Sequence, residues 1–284
     1  MTEIKRSEIT AIPPGDTRYP AEWALLADAP QTVYAVGDIS LLQQRKFTVV
    51  GSRRTPINAL KASVHIAKEL CKQFALVTGA ADGGDSAVIE GANGRVICVL
   101  AGGFSALPQS NLALLSKVKE NGLLLSPYPF ETEVRAFSYE YRNKLLAALG
   151  EGVLVTGAAE KSGALITAKY AKEYKKRIFA LPYSLGVAAG AGCNKLLKEG
   201  GYLTECAEDI FQAFDIQAET QKPVVVLTAE EEKLYEAVRE LSDGHVTEIA
   251  AKAGIPAYKV RGMLSALEVK GVITPLGGNR YAPL

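Results

Sequence analysis

Phe47-Thr-Val-Val-Gly-Ser-Arg53 is the stretch on which the fold turns. An apolar, β-branched run ends on glycine, becomes polar and opens a helical pattern, which is how a parallel strand hands over to a helix. The handover recurs down the chain. Strands are predicted at Phe47 to Val50, Ala75 to Thr78, Val96 to Leu100, Gly122 to Leu125, Gly152 to Val155 and Arg177 to Leu181, with helical patterns between them. Val96-Ile-Cys-Val-Leu100 and Val153-Leu-Val155 are apolar without alternation, as strands covered by helices on both faces must be. The expectation is an α/β fold built on a doubly wound, mostly parallel sheet over residues 46–216.

Outside that region the pattern changes. Residues 1–45 are punctuated by Pro13-Pro-Gly-Asp16, Tyr19-Pro20 and Asp28-Ala-Pro30, with one amphipathic stretch from Ala21 to Leu26, and read as an arm laid across the sheet. Residues 217–227 are polar and aperiodic and read as a linker. In 228–284, helices are predicted over Ala229 to Leu241, Val246 to Ala253 and Pro256 to Lys270, followed by a hairpin around Gly277-Gly278. That order is the winged variant of the helix-turn-helix. With seven Lys and Arg against eight Asp and Glu from Val224 onward, charge leaves this module open to duplex DNA or a protein partner.

Composition narrows the classes. At 284 residues, 48% hydrophobic and a net charge of +1, the chain has enough apolar residues for one large and one small core and too little charge to coat nucleic acid indiscriminately. No apolar run approaches a bilayer span and the N-terminal residues lack a signal-peptide pattern, so the cytoplasm is the expected compartment. Four scattered cysteines without a C-x-x-C pair and two histidines argue against a zinc site or disulfide framework, and no metal or cofactor is expected. The charge is uneven, however: from Arg135 to Arg177 there are nine Lys and Arg against four acids. For Lys172 to Arg177 a helix C-terminus favoured by its dipole explains much of this.

Four blocks sit where strands meet helices, the place where backbone N–H groups, hydroxyls and cations hold anions. Gly51, Ser52 and Arg53 offer a close-approach glycine, a hydroxyl and a guanidinium fork, although such turns also arise from packing alone. Thr78-Gly-Ala-Ala-Asp-Gly-Gly-Asp85 lacks G-x-G-x-x-G, and Asp85 is placed to cap the following helix. Phe137, Arg142, Asn143 and Lys144 combine charge with an aromatic that can stack on any base, with Tyr139 an alternative and Tyr141 better suited to the core. Ser162 and Gly163 open a further helix whose free N–H groups take a phosphate or a neighbouring carbonyl.

The ordered series Tyr19-Pro20, Val50-Gly-Ser-Arg53, Thr78-Gly79 with Asp85, Ser126-Pro-Tyr-Pro129, Phe137 with Arg142-Asn143, Ser162-Gly-Ala-Leu-Ile-Thr-Ala168, Leu181-Pro182 and Gly192-Cys-Asn194 resembles the bacterial DNA-processing protein A (DprA, or Smf) family, as a divergent member. The resemblance implies a Rossmann-like domain that binds single-stranded DNA, forms a homodimer and loads the RecA recombinase during natural transformation and recombination. It carries DNA contacts onto Gly51, Ser52 and Arg53, and onto Phe137, Arg142, Asn143 and Lys144. It carries over no catalytic residue. The chain departs from the family pattern where Lys144 replaces a third-position arginine, where Pro127 replaces an acid, and where no Ala-His pair comes shortly after Asp85.

Two other readings stand beside a single-strand-binding mediator. A nucleotide-phosphate hydrolase of the LOG-like Rossmann class would also hold phosphate at strand ends, but its Pro-Gly-Gly-x-Gly-Thr block and nearby glutamate are missing from the sequence. A scaffold acting through its winged helix is the other. For the mediator, four phosphate contacts at roughly −0.7 each predict a salt slope near −3.

Overall fold

All six predicted strands form, each within a residue or two of its expected place, and they pair as neighbours in one sheet. The structure, a computed structural model, describes residues 4–217 and 227–283. The chain divides into two compact units, Met1–Ala218 and Glu219–Leu284. All but the ends of the linker expected over 217–227 lies outside the described residues.

In the first unit the elements run β1 (Thr10–Ile12), α1 (Ala21–Ala24), β2 (Val33–Gly37), β3 (Lys46–Gly51), α2 (Ile57–Leu70), β4 (Ala75–Thr78), α3 (Gly84–Gly91), β5 (Val96–Val99), α4 (Leu112–Asn121) and β6 (Leu123–Ser126). They continue with α5 (Ala136–Leu149), β7 (Gly152–Gly157), α6 (Ala164–Glu173), β8 (Arg177–Ala180), α7 (Ala191–Lys198), β9 (Tyr202–Leu203) and α8 (Ala207–Ala213). Among the described residues the sheet has nine strands in the order β1-β2-β6-β5-β4-β3-β7-β8-β9. From β6 to β9 neighbours are parallel, while β2 pairs antiparallel with β6 and β1 with β2.

Alternate residues of each strand feed opposite cores. Phe47, Val49, Leu76 and Cys98 pack with Ile66, Leu70 and Val88 on one face. Val50, Val77, Ile97 and Val155 pack with Leu145, Leu149 and Ala168 on the other. Every residue of β5 is fully buried, which is why its sequence shows no alternation.

Residues 1–45 correct the expectation of an arm. Two short segments from this region, Thr10–Ile12 and Val33–Gly37, extend the sheet itself. Between them Trp23 is wholly buried, and its indole Nε1 donates to Leu145 O at 2.9 Å, tying α1 to α5. Strands of three and five residues are too short for periodicity to register, and the prolines around them read as loop.

In the second unit, α9 (Ala229–Leu241), β10 (Gly244–His245), α10 (Val246–Ala253), α11 (Ala257–Val269), β11 (Ile273–Gly277) and β12 (Arg280–Pro283) follow in turn. The strands pair antiparallel in the order β10-β12-β11, and Leu234, Val238, Ile249, Val260, Leu264 and Leu267 form a separate core. Thr228 caps α9 through a reciprocal box with Glu231, one of the clearest helix starts in the chain.

Candidate functional site

The chain leaves β3 for β4, β5 and β6 on one side, then returns through α5 to place β7 on the other side of β3. Where the winding reverses, the loops after β3 and β7 part and leave a crevice beyond the strand carboxyl ends. A cleft of about 340 Å³ lies there, lined by Gly51 to Arg54, Ala81, Asp85, Tyr139, Arg142, Asn143, and Ser162 to Ala164 with Thr167.

The turn after β3 is held from within. Gly51 N–H donates to Asp85 Oδ1 at 3.2 Å, Ser52 N–H to Gly157 O at 2.8 Å, and Arg54 N–H to Ser52 Oγ at 3.1 Å. Those amides are therefore not the phosphate donors that the sequence suggested. The turn instead works as a mount that exposes the side chains of Arg53 and Arg54, and among the described residues neither guanidinium pairs with a carboxylate. Ser52 Oγ accepts from Arg54, which leaves the hydroxyl proton for a ligand oxygen.

The glycines of the turn after β4 have a packing purpose. A Cβ on Gly51 would sit 2.7 Å from Gly84 Cα, and one on Gly84 would sit 2.7 Å from Gly51 C, so the two turns meet backbone to backbone. A Cβ on Gly79 would fall 2.7 Å from Arg142 Cζ. Asp85 does not cap α3 as expected. Its carboxylate accepts from Gly51 and from Ala81 N–H at 3.3 Å and faces Arg142 Nη1 at 3.9 Å, clamping three segments together. Burial pushes its carboxyl up, against the pull of the Arg142 guanidinium and the two amides.

Arg142 is 7% exposed, so it forms the floor of the cleft rather than a free arm. Its Nε is buried with no partner, and so is Thr167 Oγ1. Of four such orphaned side-chain atoms among the described residues, these two belong to cleft-lining residues, as expected of a site that completes its hydrogen bonds with a ligand. Asn143 Nδ2 donates to Gly163 O at 3.1 Å and so fixes the turn that opens α6, where Ser162 Oγ accepts from Ala164 N–H at 3.3 Å.

The structure thus brings together Gly51, Ser52, Arg53, Arg142, Asn143, Ser162 and Gly163. It leaves Lys144 aside: that ammonium pairs with Asp28 at 2.5 Å, because two residues along a helix from Arg142 is the opposite face. Phe137 stands on the first turn of α5, 63% exposed and not packed inward, beside the cleft rather than in its lining. One cation of the lining was not singled out from sequence, and Tyr139, the alternative to Phe137 as a stacking aromatic, does line the cleft. Arg54 was overlooked beside Arg53, although two adjacent arginines after a strand-end glycine were a visible signal. Tyr139 lies within 6.0 Å of Arg142 Cζ and also borders a smaller pocket of about 110 Å³ walled by Ala80, Leu100, Pro108 and Val134. Among the described residues no group of His, Cys, Asp and Glu is disposed to hold a metal, and no helix is long and apolar enough to cross a membrane.

Comparison with known proteins places the family and the fold. A family profile described as DNA recombination-mediator protein A matches residues 10–215, which span the sheet and every residue of the cleft. The DNA processing protein DprA of Bacillus subtilis is 37% identical over 218 residues, 75% of this chain and 73% of that protein. The crystal structure of DNA processing protein A from Streptococcus pneumoniae matches with a TM-score of 0.69 at 29% identity, covering 74% of this chain and 75% of the other. That of Helicobacter pylori matches with a TM-score of 0.67 at 28% identity, covering 74% and 98%. With the profile matched across nearly the whole sheet unit, the chain belongs to the DNA recombination-mediator protein A family.

Proposed function

We propose that this protein binds single-stranded DNA in the switch-point cleft and, as a homodimer, hands the strand to a RecA-type recombinase. The observation that carries the reading is the convergence, in one crevice, of Arg53 and Arg54 with two orphaned buried donors, Arg142 Nε and Thr167 Oγ1. Backbone phosphates would meet the paired arginines and the Ser52 hydroxyl, since guanidinium forks match phosphate oxygens. Bases would stack on Tyr139 and on the exposed Phe137, which every base accepts. A single-stranded DNA binding mode is described for the H. pylori relative. Recombinase loading and dimer formation are proposed from the family resemblance. The second unit, with three helices followed by a hairpin, is proposed to be a winged helix.

The hydrolase alternative has little support in the cleft. Asp85 is the one carboxylate in its lining, and it is buried and engaged by two amides and a guanidinium. A base for water activation would need a free carboxylate or imidazole at the same place.

Fluorescence anisotropy with single- and double-stranded oligonucleotides of one sequence tests the reading. Preference for the single strand by the intact chain supports it; equal binding of both, or release of free base from a nucleoside monophosphate, overturns it. Recombinase loading is tested separately, by whether the protein speeds RecA assembly on strands already coated by a single-strand-binding protein.

A further inference from the structure

A second groove lies beside the cleft on the far side of α6, with a volume of about 560 Å³. Helix α6 is the shared wall: Ala164 and Thr167 line the cleft, while Leu165, Ala168, Lys169 and Lys172 line the groove. The opposite wall is α7, which contributes Lys195 and Leu196, and the remaining sides come from Lys175 to Ile178 and from Gly200 to Tyr202.

Its chemistry is one-sided. Six cations, Lys169, Lys172, Lys175, Lys176, Arg177 and Lys195, line it with a single acid, Glu199. Two of the six are occupied elsewhere: Lys176 donates to the carbonyls of Ala148 and Gly150, and Arg177 donates to Ala213 O and lies over the Phe214 ring. The others are available to solvent. Lys172 and Lys195 share Glu199 at 3.6 and 4.0 Å, and Lys169 meets Glu173 at 4.0 Å, loose surface pairs that an incoming phosphate displaces at little cost. A helix dipole accounts for the lysines in the last turns of α6 and α7, Lys172 and Lys195 among them, but does not account for their facing one another across one groove. Nor does it account for the apolar side chains of Leu165, Ile178 and Leu196, or for Tyr202, which is 47% exposed while its ring stacks on the buried Phe179 at 5.0 Å. Lysines above apolar surface with a fixed, half-exposed aromatic are the composition of a single-strand platform.

We infer that this groove is a second phosphate track, which takes the continuation of the same DNA strand after it leaves the cleft along α6. The inference rests on the cleft's taking single-stranded DNA. The two sites flank one helix, with the adjacent residues Thr167 and Ala168 lining one each, and a helix with its side chains is about 10–12 Å across, a width that a strand of a few nucleotides bridges.

The test compares two thymidylate oligonucleotides, one of about five nucleotides, which fills the cleft alone, and one of about twenty, which reaches both sites. The intact chain and the charge-reversed variant Lys169→Glu, Lys172→Glu, Lys195→Glu are titrated with each at several salt concentrations. The variant is expected to bind the short strand as the wild type does. It should bind the long one at least about tenfold more weakly, with a salt slope shallower by about 2, as three lost contacts at roughly 0.7 each require. A milder Lys→Gln triple variant, with its thermal unfolding matched to wild type, should show the same split and guards against a folding defect. Unchanged affinity and slope for the long strand overturns the inference and assigns the basic groove to another acidic partner. Loss of both oligonucleotides on Arg53→Ala, with the lysine variant intact on both, leaves the cleft standing and removes only the groove. Failure of the wild type to bind either strand removes the cleft reading itself.

Discussion

At the scale of single residues, the site rests on a division of labour among arginines. Arg53 is exposed on a turn whose Gly51, Ser52 and Arg54 amides are bonded within the protein, so in the proposed function its side chain grips, whereas Arg142 is buried against Asp85 and supports. Replacing Asp85 by Ala leaves a buried guanidinium without its counter-charge, and such a break costs about 3–5 kcal/mol. Chemical denaturation of Asp85→Ala should show that loss, and Asp85→Ala with Arg142→Met should recover much of it. Full additivity in that double-mutant cycle would contradict the clamp. Arg53→Ala, by contrast, should unfold with wild-type stability. Sequence made this contrast hard to see. Arg53 follows a strand end and Arg142 lies midway along α5, but both are arginines within motifs that suggest phosphate, and only the burial of one distinguishes support from contact. Lys144 misled for a related reason: its family position suggested DNA, while helical geometry turns it toward Asp28.

At the scale of elements, the β3 and β4 turns are fitted to one another by absence of side chains. Gly84→Ala would place a methyl against the backbone of Gly51, which no rotamer change can relieve. A cost of about 1–3 kcal/mol is expected, together with weaker strand binding, because the mount of Arg53 must shift. Thermal unfolding and binding measured on the same sample check both. A second element-level prediction concerns the loop from α5 to β7, whose Ala148 and Gly150 carbonyls are held by Lys176. Burial lowers this ammonium from 10.5 to about 8. Above about pH 8 the native chain has released a proton that the unfolded chain keeps, so this contribution to stability rises with pH up to the ordinary lysine value. Urea unfolding at pH values on either side of 8 should show wild type gaining relative to Lys176→Met as pH rises; a constant difference would contradict it. The strands and helices of these elements were legible because each apolar run is long enough to show its period. Thr10–Ile12 and Tyr202–Leu203 were not, since their pairing depends on neighbours distant in sequence.

At the scale of the molecule, the sheet's winding order is what makes a site from scattered motifs. Gly51-Ser52-Arg53 and Ser162-Gly163 are more than a hundred residues apart, and they meet because β7 returns to the side of β3. That the blocks lie at carboxyl ends of one sheet was readable from the alternation of strands and helices; that two of them share a crevice required the strand order. The structure also revises the charge available to a ligand. Four phosphate contacts were expected, but within the cleft the exposed cations are Arg53 and Arg54, so a short strand should bind with a salt slope near −1.4, two contacts at roughly −0.7 each. The measurement that tests the account most directly is the salt dependence of short single-strand binding by wild type and Arg53→Ala. The account predicts weaker binding by the variant and a slope near −0.7, with unfolding unchanged. Equal affinity and equal slope for the two proteins would contradict it.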